Sequence, residues 1–346
     1  MAANNLNRLY KLFAVFFLLI LLQECKHRDN NITHISGNIK NHSKSPQKLY
    51  LYLLPDSITF YNTDKIVLDS CRIGEDGRFD FKLNKLIKST FFDLSIGDLV
   101  IARNYFIQPN QALYLELDAS YLPAQLINLK NVDRYNQFLQ TYSDTFYRKP
   151  EVKQYYYVQS NFLLAPEYAK YIDERHLHQL EFASNILSDA NSDKLFVNYL
   201  QSEIDYQWAN DKTAFLWKKW IRNEEVKLDT AYYNYASKLI IDNPDALVSP
   251  AYIRFLHLYI RELHRQLPIQ IQNRTEGTIK RCEIASKCLK GNALKIALFH
   301  IMKDELSNVK SLGIVDEKRK LKLNELTNYI VKISNDSTYL NYISKY

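Results

Sequence analysis

Cysteine and histidine are the residue types most able to carry chemistry here, and their spacing decides which chemistry is open. The four cysteines are Cys25, Cys71, Cys282 and Cys288, and no Cys-x-x-Cys pair occurs. The dithiol arrangement that supports thiol–disulfide exchange is therefore missing from the sequence. Cys282 and Cys288 lie six residues apart in helical sequence. On one helix they would sit about 9 Å apart along the axis and roughly 240° around it. A disulfide needs Cα atoms within about 7 Å, so the two should not pair. Cys71, Cys282 and Cys288 read as buried free thiols, which pack like small apolar groups.

His257 and His264 are seven residues apart on an expected helix, so they share a face. Helical metal pairs use a four-residue spacing, and no carboxylate partner stands out, so no metal ligand is assigned. His176 and His178 point to different helix faces. Tyr155, Tyr156 and Tyr157, with Tyr147 and Phe162 nearby, read as packed helical core or inter-domain contact. Their second reading is an aromatic platform for a sugar or peptide. Trp208, Trp217 and Trp220 carry the same pair of readings. Asp173-Glu174 and Glu224-Glu225 are adjacent, and adjacent helical residues do not face one another, so they make poor acid–base pairs. No Gly-rich phosphate loop, Gly-x-Ser-x-Gly elbow or His-Glu-x-x-His motif occurs. No catalytic residue, metal or cofactor is expected.

The elements that would hold these residues fall into an export segment and two halves. Leu12 to Leu22 is unbroken apolar sequence preceded by Arg8 and Lys11. A basic start followed by roughly 7–15 apolar residues is the layout of a secretory signal peptide. It falls short of the about 20 residues a membrane span needs. Residues 1–24 are expected to be the signal and 25–31 a tether, in which Lys26, His27 and Arg28 either lie against anionic head groups or stay solvated.

Charge and composition narrow the partners. The 346 residues carry 45 Lys and Arg against 38 Asp and Glu, a net charge of +7. The two signs are interspersed, whereas a nucleic-acid binder gathers its basic residues on one face or in one run. Lys318-Arg319-Lys320 and Lys322 sit among Asp316, Glu317 and Glu325, which reads as a solvated helix face. No nucleic-acid partner is expected. With 7 Gly and 9 Pro, the chain is not of a disordered or collagenous class.

From Ile32 to Leu117 the apolar period is two. Strands are expected at Thr33–Lys40, Lys48–Leu54, Lys65–Ile73, Arg78–Leu83, Thr90–Ile96, Leu99–Ile107 and Gln111–Leu117. Gly74-Glu75-Asp76-Gly77 is a hairpin signal, because Gly tolerates positive φ. Seven short strands suggest an antiparallel β-sandwich over residues 32–118. A linker containing Pro123 is expected at 119–130, then an all-α domain over 131–346. Ser192-Asp193 caps a helix running to about Trp208, and Asp229-Thr230 caps the next. That second helix places Tyr232, Tyr233, Ala236, Leu239 and Ile240 inward and ends at Asn243-Pro244. Ser249-Pro250 starts another, followed by helices near Gly277–Leu289, Asn292–Leu306, Asp316–Ile333 and Ser337–Ser344, with Gly291 and Gly313 as breaks. The fold class is thus α+β.

Leu22-Gln23-Glu24-Cys25 resembles the lipobox of bacterial lipoproteins, in which the Cys is lipidated and becomes the mature N-terminus. That pattern takes a small residue where Glu24 stands. Two readings of Cys25 follow: a lipidation site, or an incidental Cys in a secreted or uncleaved chain. Asp69-Ser70 followed by Ile73-Gly74-Glu75-Asp76-Gly77-Arg78-Phe79-Asp80-Phe81 resembles the β-domain of TlpA-like thiol–disulfide oxidoreductases of Bacteroidota. Tyr105 to Asn110 with Leu113-Tyr114-Leu115 is similar to its closing hairpin. Asp242 to Phe255 and Leu289 to Leu306 resemble the helical middle region of those proteins. The resemblance implies a periplasm-facing, membrane-anchored lipoprotein of the cell envelope. The oxidoreductases that this sequence resembles carry a C-terminal thioredoxin domain with a Trp-Cys-x-x-Cys pair, and it reaches Tyr346 without one. The expected function is therefore a non-catalytic binding or scaffold module held at the membrane by a lipid. One alternative is a truncated or split oxidoreductase with a thioredoxin-like protein as partner. Another is a glycan- or peptide-binding lipoprotein.

Overall fold

The computed structural model describes residues 32–41, 47–53, 67–84, 86–97, 99–120, 125–130, 133–224, 230–267, 274–311 and 317–335. The signal segment, Cys25, the tether, Pro123, Glu225, Asp229, Gly313 and the helix expected at Ser337–Ser344 lie outside the described residues. The chain divides into two compact units between Gln137 and Phe138. The first is a β unit and the second is helical, an α+β mix.

The β unit holds strands β1 (Thr33–Lys40), β2 (Lys48–Leu53), β3 (Val67–Arg72) and β4 (Arg78–Leu83). Strands β5 (Thr90–Ile96), β6 (Leu99–Ile107), β7 (Ala112–Asp118) and β8 (Gln125–Lys130) follow. They form two four-stranded sheets, ordered β4-β1-β7-β8 and β3-β2-β5-β6. Alternation is cleanest in β4, where Phe79, Phe81 and Leu83 are buried and Arg78, Asp80 and Lys82 are exposed. In β5 the alternation vanishes, and Phe91 to Ser95 are all buried, because that strand is central in its sheet and covered on both faces. One apolar cluster draws Ile35, Phe81 and Leu115 from the first sheet and Leu51, Leu94 and Ile101 from the second. Each such side chain contributes about 1.5–3 kcal/mol over leaving it in water.

Three expectations are corrected in this unit. The sheets are not wholly antiparallel, since β1 pairs with β7 in parallel. One edge of β1 is taken by antiparallel β4, and the other receives β7 only after the chain has passed through the second sheet. The turn at Gly74 to Gly77 does form, with Gly77 at φ 82 and its N–H donating to the Gly74 carbonyl at 2.9 Å. It nevertheless joins strands of different sheets, because β3 pairs with β2 and β4 pairs with β1. The expected linker also contains a strand, β8, paired with β7. The pairing register shifts between Glu116 and Leu117, so that Leu115 stands opposite Leu129 and Leu117 opposite Leu126.

The helical unit is assembled from α1 (Arg134–Ser143, whose first turn counts with the β unit), α2 (Pro150–Phe162), α3 (Ala165–Leu187) and α4 (Lys194–Ile221). Further along come α5 (Pro250–Arg265), α6 (Arg274–Cys288), α7 (Gly291–Ser311) and α8 (Glu317–Ser334). Asp193 caps α4 by accepting from the Leu195 and Phe196 N–H groups, and Ser249 caps α5 by accepting from Tyr252. Helix α4 does not end near Trp208 but runs on to Ile221 and stops at Asn223, whose φ is 54. Nothing at Trp208 breaks a helix, so propagation continues.

The segment expected as the next α-helix is a 3₁₀ helix, Thr230–Lys238. Side chains three apart eclipse in that geometry, so Tyr232 and Tyr235 are buried together, and Ile240, past the end of the helix at Lys238, is exposed. Asn243 does not end that helix. Its side chain caps a second 3₁₀ turn, Pro244–Val248, by accepting from the Asp245 N–H. Among the described residues, no helix is long and apolar enough to cross a membrane.

Candidate functional site

Helix α4 is buried all round its middle, from Trp208 to Thr213. A helix in that position must find partners for every polar side chain it carries. Asn210, Asp211, Lys212 and Thr213 are the residues concerned, and their partners come from the elements packed around α4.

Asp211 is the centre. Its Oδ2 accepts from Arg175 Nη1 at 3.0 Å, and its Oδ1 accepts from Gln207 Nε2 at 2.7 Å and the Tyr156 hydroxyl at 3.1 Å. Arg175 on α3 donates its other nitrogen to the Phe146 carbonyl at 2.9 Å. The guanidinium lies 4.6 Å from the Tyr147 ring centroid and 5.2 Å from that of Tyr156, within cation–π range. Gln179 Nε2 donates to the Tyr147 hydroxyl at 2.7 Å, which fixes the ring beneath Arg175.

Next to this pair, Lys212 Nζ meets Asp173 Oδ1 at 2.6 Å, and the Trp208 indole N–H donates to the same oxygen at 2.7 Å. Thr213 shares a hydrogen bond with the Tyr235 hydroxyl at 2.8 Å, and Asn210 Nδ2 donates to the Ala251 carbonyl. One turn and more earlier, Glu203 accepts from Ser249 Oγ at 2.7 Å and from the Ala251 N–H at 2.9 Å, tying α4 to the start of α5.

Burial governs the titration of this centre. It pushes the Asp211 carboxyl up, with Arg175, Gln207 and Tyr156 opposing, and it pushes Glu203 up against its two donors. It also raises the phenols of Tyr156 and Tyr168, which therefore stay protonated and act as donors. The arrangement pairs Asp211, Lys212 and Thr213 with neighbouring groups and leaves Asn210 Oδ1 buried without a hydrogen-bond partner among the described residues. It can hold α2, α3, α4 and the start of α5, together with the 3₁₀ helix that carries Tyr235, in one geometry.

A second cluster joins α5, α6 and α7. His257 Nε2 stands 3.5 Å from Asp304 Oδ2 and 3.3 Å from Arg261 Nη1, and Arg281 Nη1 is 3.9 Å from the same Asp304 oxygen. The ring that His257 meets is His300, with centroids 6.4 Å apart. Burial lowers the pKa of His257, and it holds His300 down to about 4, with His257 and Lys303 adding to the effect. His264, the residue expected to share a face with His257, has a buried Nε2 without a hydrogen-bond partner. Among the described residues, no group of three or more His, Cys, Asp or Glu could hold a metal ion.

The remaining expected residues separate. His176 stacks on Trp208 at 4.6 Å and bonds Asp205 at 2.8 Å, whereas His178 is exposed. The tyrosine run splits, with Tyr156 turned into the polar centre and Tyr155, Tyr157 and Phe162 exposed. Trp208 is buried, Trp217 lies 4.6 Å under the Arg261 guanidinium, and Trp220 is exposed. Asp173 and Glu174 diverge as expected for neighbours, since Glu174 pairs outward with Lys170 at 3.9 Å. Glu224 meets Lys219 at 2.6 Å.

Cys71, Cys282 and Cys288 are free thiols. Only Cys282 is fully buried, and burial pushes its thiol up to about 12. Cys71 and Cys288 are half-buried, a correction to the expectation for both. The polar centre itself was not anticipated. Its signal was the charged pair Asp211-Lys212 inside an apolar helical run, hidden by placing the end of α4 at Trp208. No family model, curated protein or solved structure matches the chain.

Proposed function

We propose that this chain is an exported lipoprotein, lipidated at Cys25 and held at a membrane of the cell envelope, where it acts as a non-catalytic binding or scaffold module. The observation that carries the non-catalytic part is the polar centre of α4. Its carboxylate Asp211 is met by three side-chain donors from α2, α3 and α4, an arrangement that builds a rigid support. The export part rests on Arg8, Lys11, the apolar run Leu12 to Leu22 and the lipobox-like Leu22 to Cys25. We further propose that the two sheets stack as a β-sandwich, a reading supported by the single apolar cluster to which both contribute. The resemblance to the oxidoreductase lipoproteins supports a thioredoxin-like protein as the partner class.

Two experiments test this reading. Replacing Cys25 by Ser is expected to move the chain from the membrane to the soluble envelope fraction, and unchanged fractionation would contradict the anchor. Purified wild-type chain is expected to lack disulfide reductase activity. A turnover abolished by thiol blocking would overturn the non-catalytic part.

A further inference from the structure

His257 on α5 holds one ring nitrogen, Nε2, between two groups that make opposite demands on it. Arg261 Nη1 stands 3.3 Å away and Asp304 Oδ2 stands 3.5 Å away. A guanidinium only donates, so Nε2 must be a bare acceptor to bond Arg261. An ionised carboxylate only accepts, so Nε2 must carry a hydrogen to bond Asp304. One atom cannot meet both demands at once. The shorter distance is to Arg261, and that bond places the hydrogen of the neutral ring on Nδ1.

The groups around the ring decide what an added proton changes. Its own helix supplies Arg261 and the exposed Arg254. Helix α6 supplies Arg281, whose Nη1 is 3.9 Å from the same Asp304 oxygen and whose Nη2 donates to the Thr278 hydroxyl at 3.1 Å. Helix α7 supplies Asp304 and the His300 ring, with Lys303 acting on His300 and Glu305 on Arg281. Helix α4 supplies Trp217, whose ring centroid lies 4.6 Å from the Arg261 guanidinium. Burial holds the His257 pKa below the ordinary histidine value, with Asp304 opposing and Arg261, Arg281 and Arg254 adding to the effect.

We propose that His257 is a proton-operated switch between Arg261 and Asp304. In the neutral state Nε2 accepts from Arg261 and helps to keep the guanidinium on the Trp217 face. When Nε2 takes a proton from water, it becomes a donor and turns to Asp304, 3.5 Å away, in a charge-assisted hydrogen bond that ties α5 to α7. The same step removes the lone pair that Arg261 used and sets a like charge beside it, so Arg261 leaves Nε2 and shifts over Trp217. The imidazolium also competes with Arg281 for the Asp304 oxygen. One proton is thereby converted into a rearrangement of side chains across α4, α5, α6 and α7. All of these helices belong to the helical unit, so the switch does not depend on an anchor at Cys25.

Trp217 is a built-in reporter. The full chain labelled with fluorotryptophan gives a fluorine NMR signal for each of Trp208, Trp217 and Trp220, and Trp217→Phe identifies the one concerned. Carbon NMR at Cε1 follows the His257 ring in the same samples, assigned by its loss in His257→Gln. On acidification from about pH 7, the Trp217 signal is expected to shift with the same midpoint as the His257 ring. The exposed Trp220 should stay unmoved, and Trp208, stacked on His176 at 4.6 Å, reports that histidine separately. In His257→Gln the amide oxygen still accepts from Arg261 but gains no proton, so the Trp217 step is expected to be lost. In Arg261→Met the step should be lost while His257 still titrates, at a higher midpoint because a neighbouring cation is gone.

A Trp217 signal that stays fixed while His257 titrates would overturn the switch. A His257 ring that stays neutral until the chain unfolds would do the same. So would a Trp217 step that survives His257→Gln, and its disappearance in His300→Leu would then assign the proton to His300. Should His257→Gln fail to fold, the wild-type midpoints decide alone: coincidence supports the switch, and clear separation contradicts it.

Discussion

Arg175 and Asp211 hold opposite charges inside the helical unit, at 11% and 9% side-chain exposure. Removing one partner of such a pair leaves the other charged and buried, which costs about 3–5 kcal/mol. Asp211→Ala is therefore expected to lower stability by that amount in urea titrations. Arg175→Met combined with Asp211→Leu should recover much of the loss, because no charge is left stranded. If the double variant is as unstable as the sum of its parts, the pair is not the coupled unit described here.

The buried histidines give a prediction of opposite logic. His300 is held down to about 4 and His257 is also lowered, so between about pH 4 and 6.5 the unfolded chain binds more protons than the folded one. Their contribution is whole above about pH 6.5 and is lost as pH falls, for His300 down to about 4, at up to about 1.4 kcal/mol per pH unit. Denaturation midpoints at pH 7 and pH 5 check this, and His300→Leu should flatten the difference. A midpoint independent of pH in the parent chain would contradict the burial of both rings.

At the scale of elements, β1 shows how much one residue can decide. Gly37 faces the Leu115 carbonyl of β7 and the Phe79 ring of β4, and an added Cβ would collide with both. The Leu115 oxygen belongs to the backbone, so the strand rather than a side chain must shift. Gly37→Ala is expected to destabilise the β unit by about 1–3 kcal/mol or more. Faster labelling of the half-buried Cys71 thiol would report it, and unchanged labelling would mean the strand relaxes freely.

The same scale shows what was legible in the sequence. Four strands, β1, β4, β5 and β6, have the bounds that period-two alternation indicates, because each is edged by a turn residue or a charge. The caps Asp193 and Ser249 were equally plain, since the hydroxyl or carboxylate stands directly before a helical run. Pairing was not legible. Whether β4 joins β3 or β1 depends on which apolar faces meet in the core, and local sequence does not encode that choice. The 3₁₀ helix escaped for a related reason, as its buried pair Tyr232 and Tyr235 fits periods of three and 3.6 alike. The polar centre escaped because its partners lie between 4 and 55 residues from Asp211.

The molecule as a whole has a two-sheet β unit and a helical unit, and the proposed function adds an N-terminal anchor. The net charge of +7 favours the anionic side of any interface it meets. The anchor at Cys25 is the claim on which the proposed location depends. It is tested most directly by the mass of the N-terminal peptide of the wild-type chain recovered from membranes. The account predicts a peptide that begins at Cys25 and carries the added mass of acyl chains. A peptide spanning Glu24 and Cys25 intact, with an unmodified thiol, would contradict it.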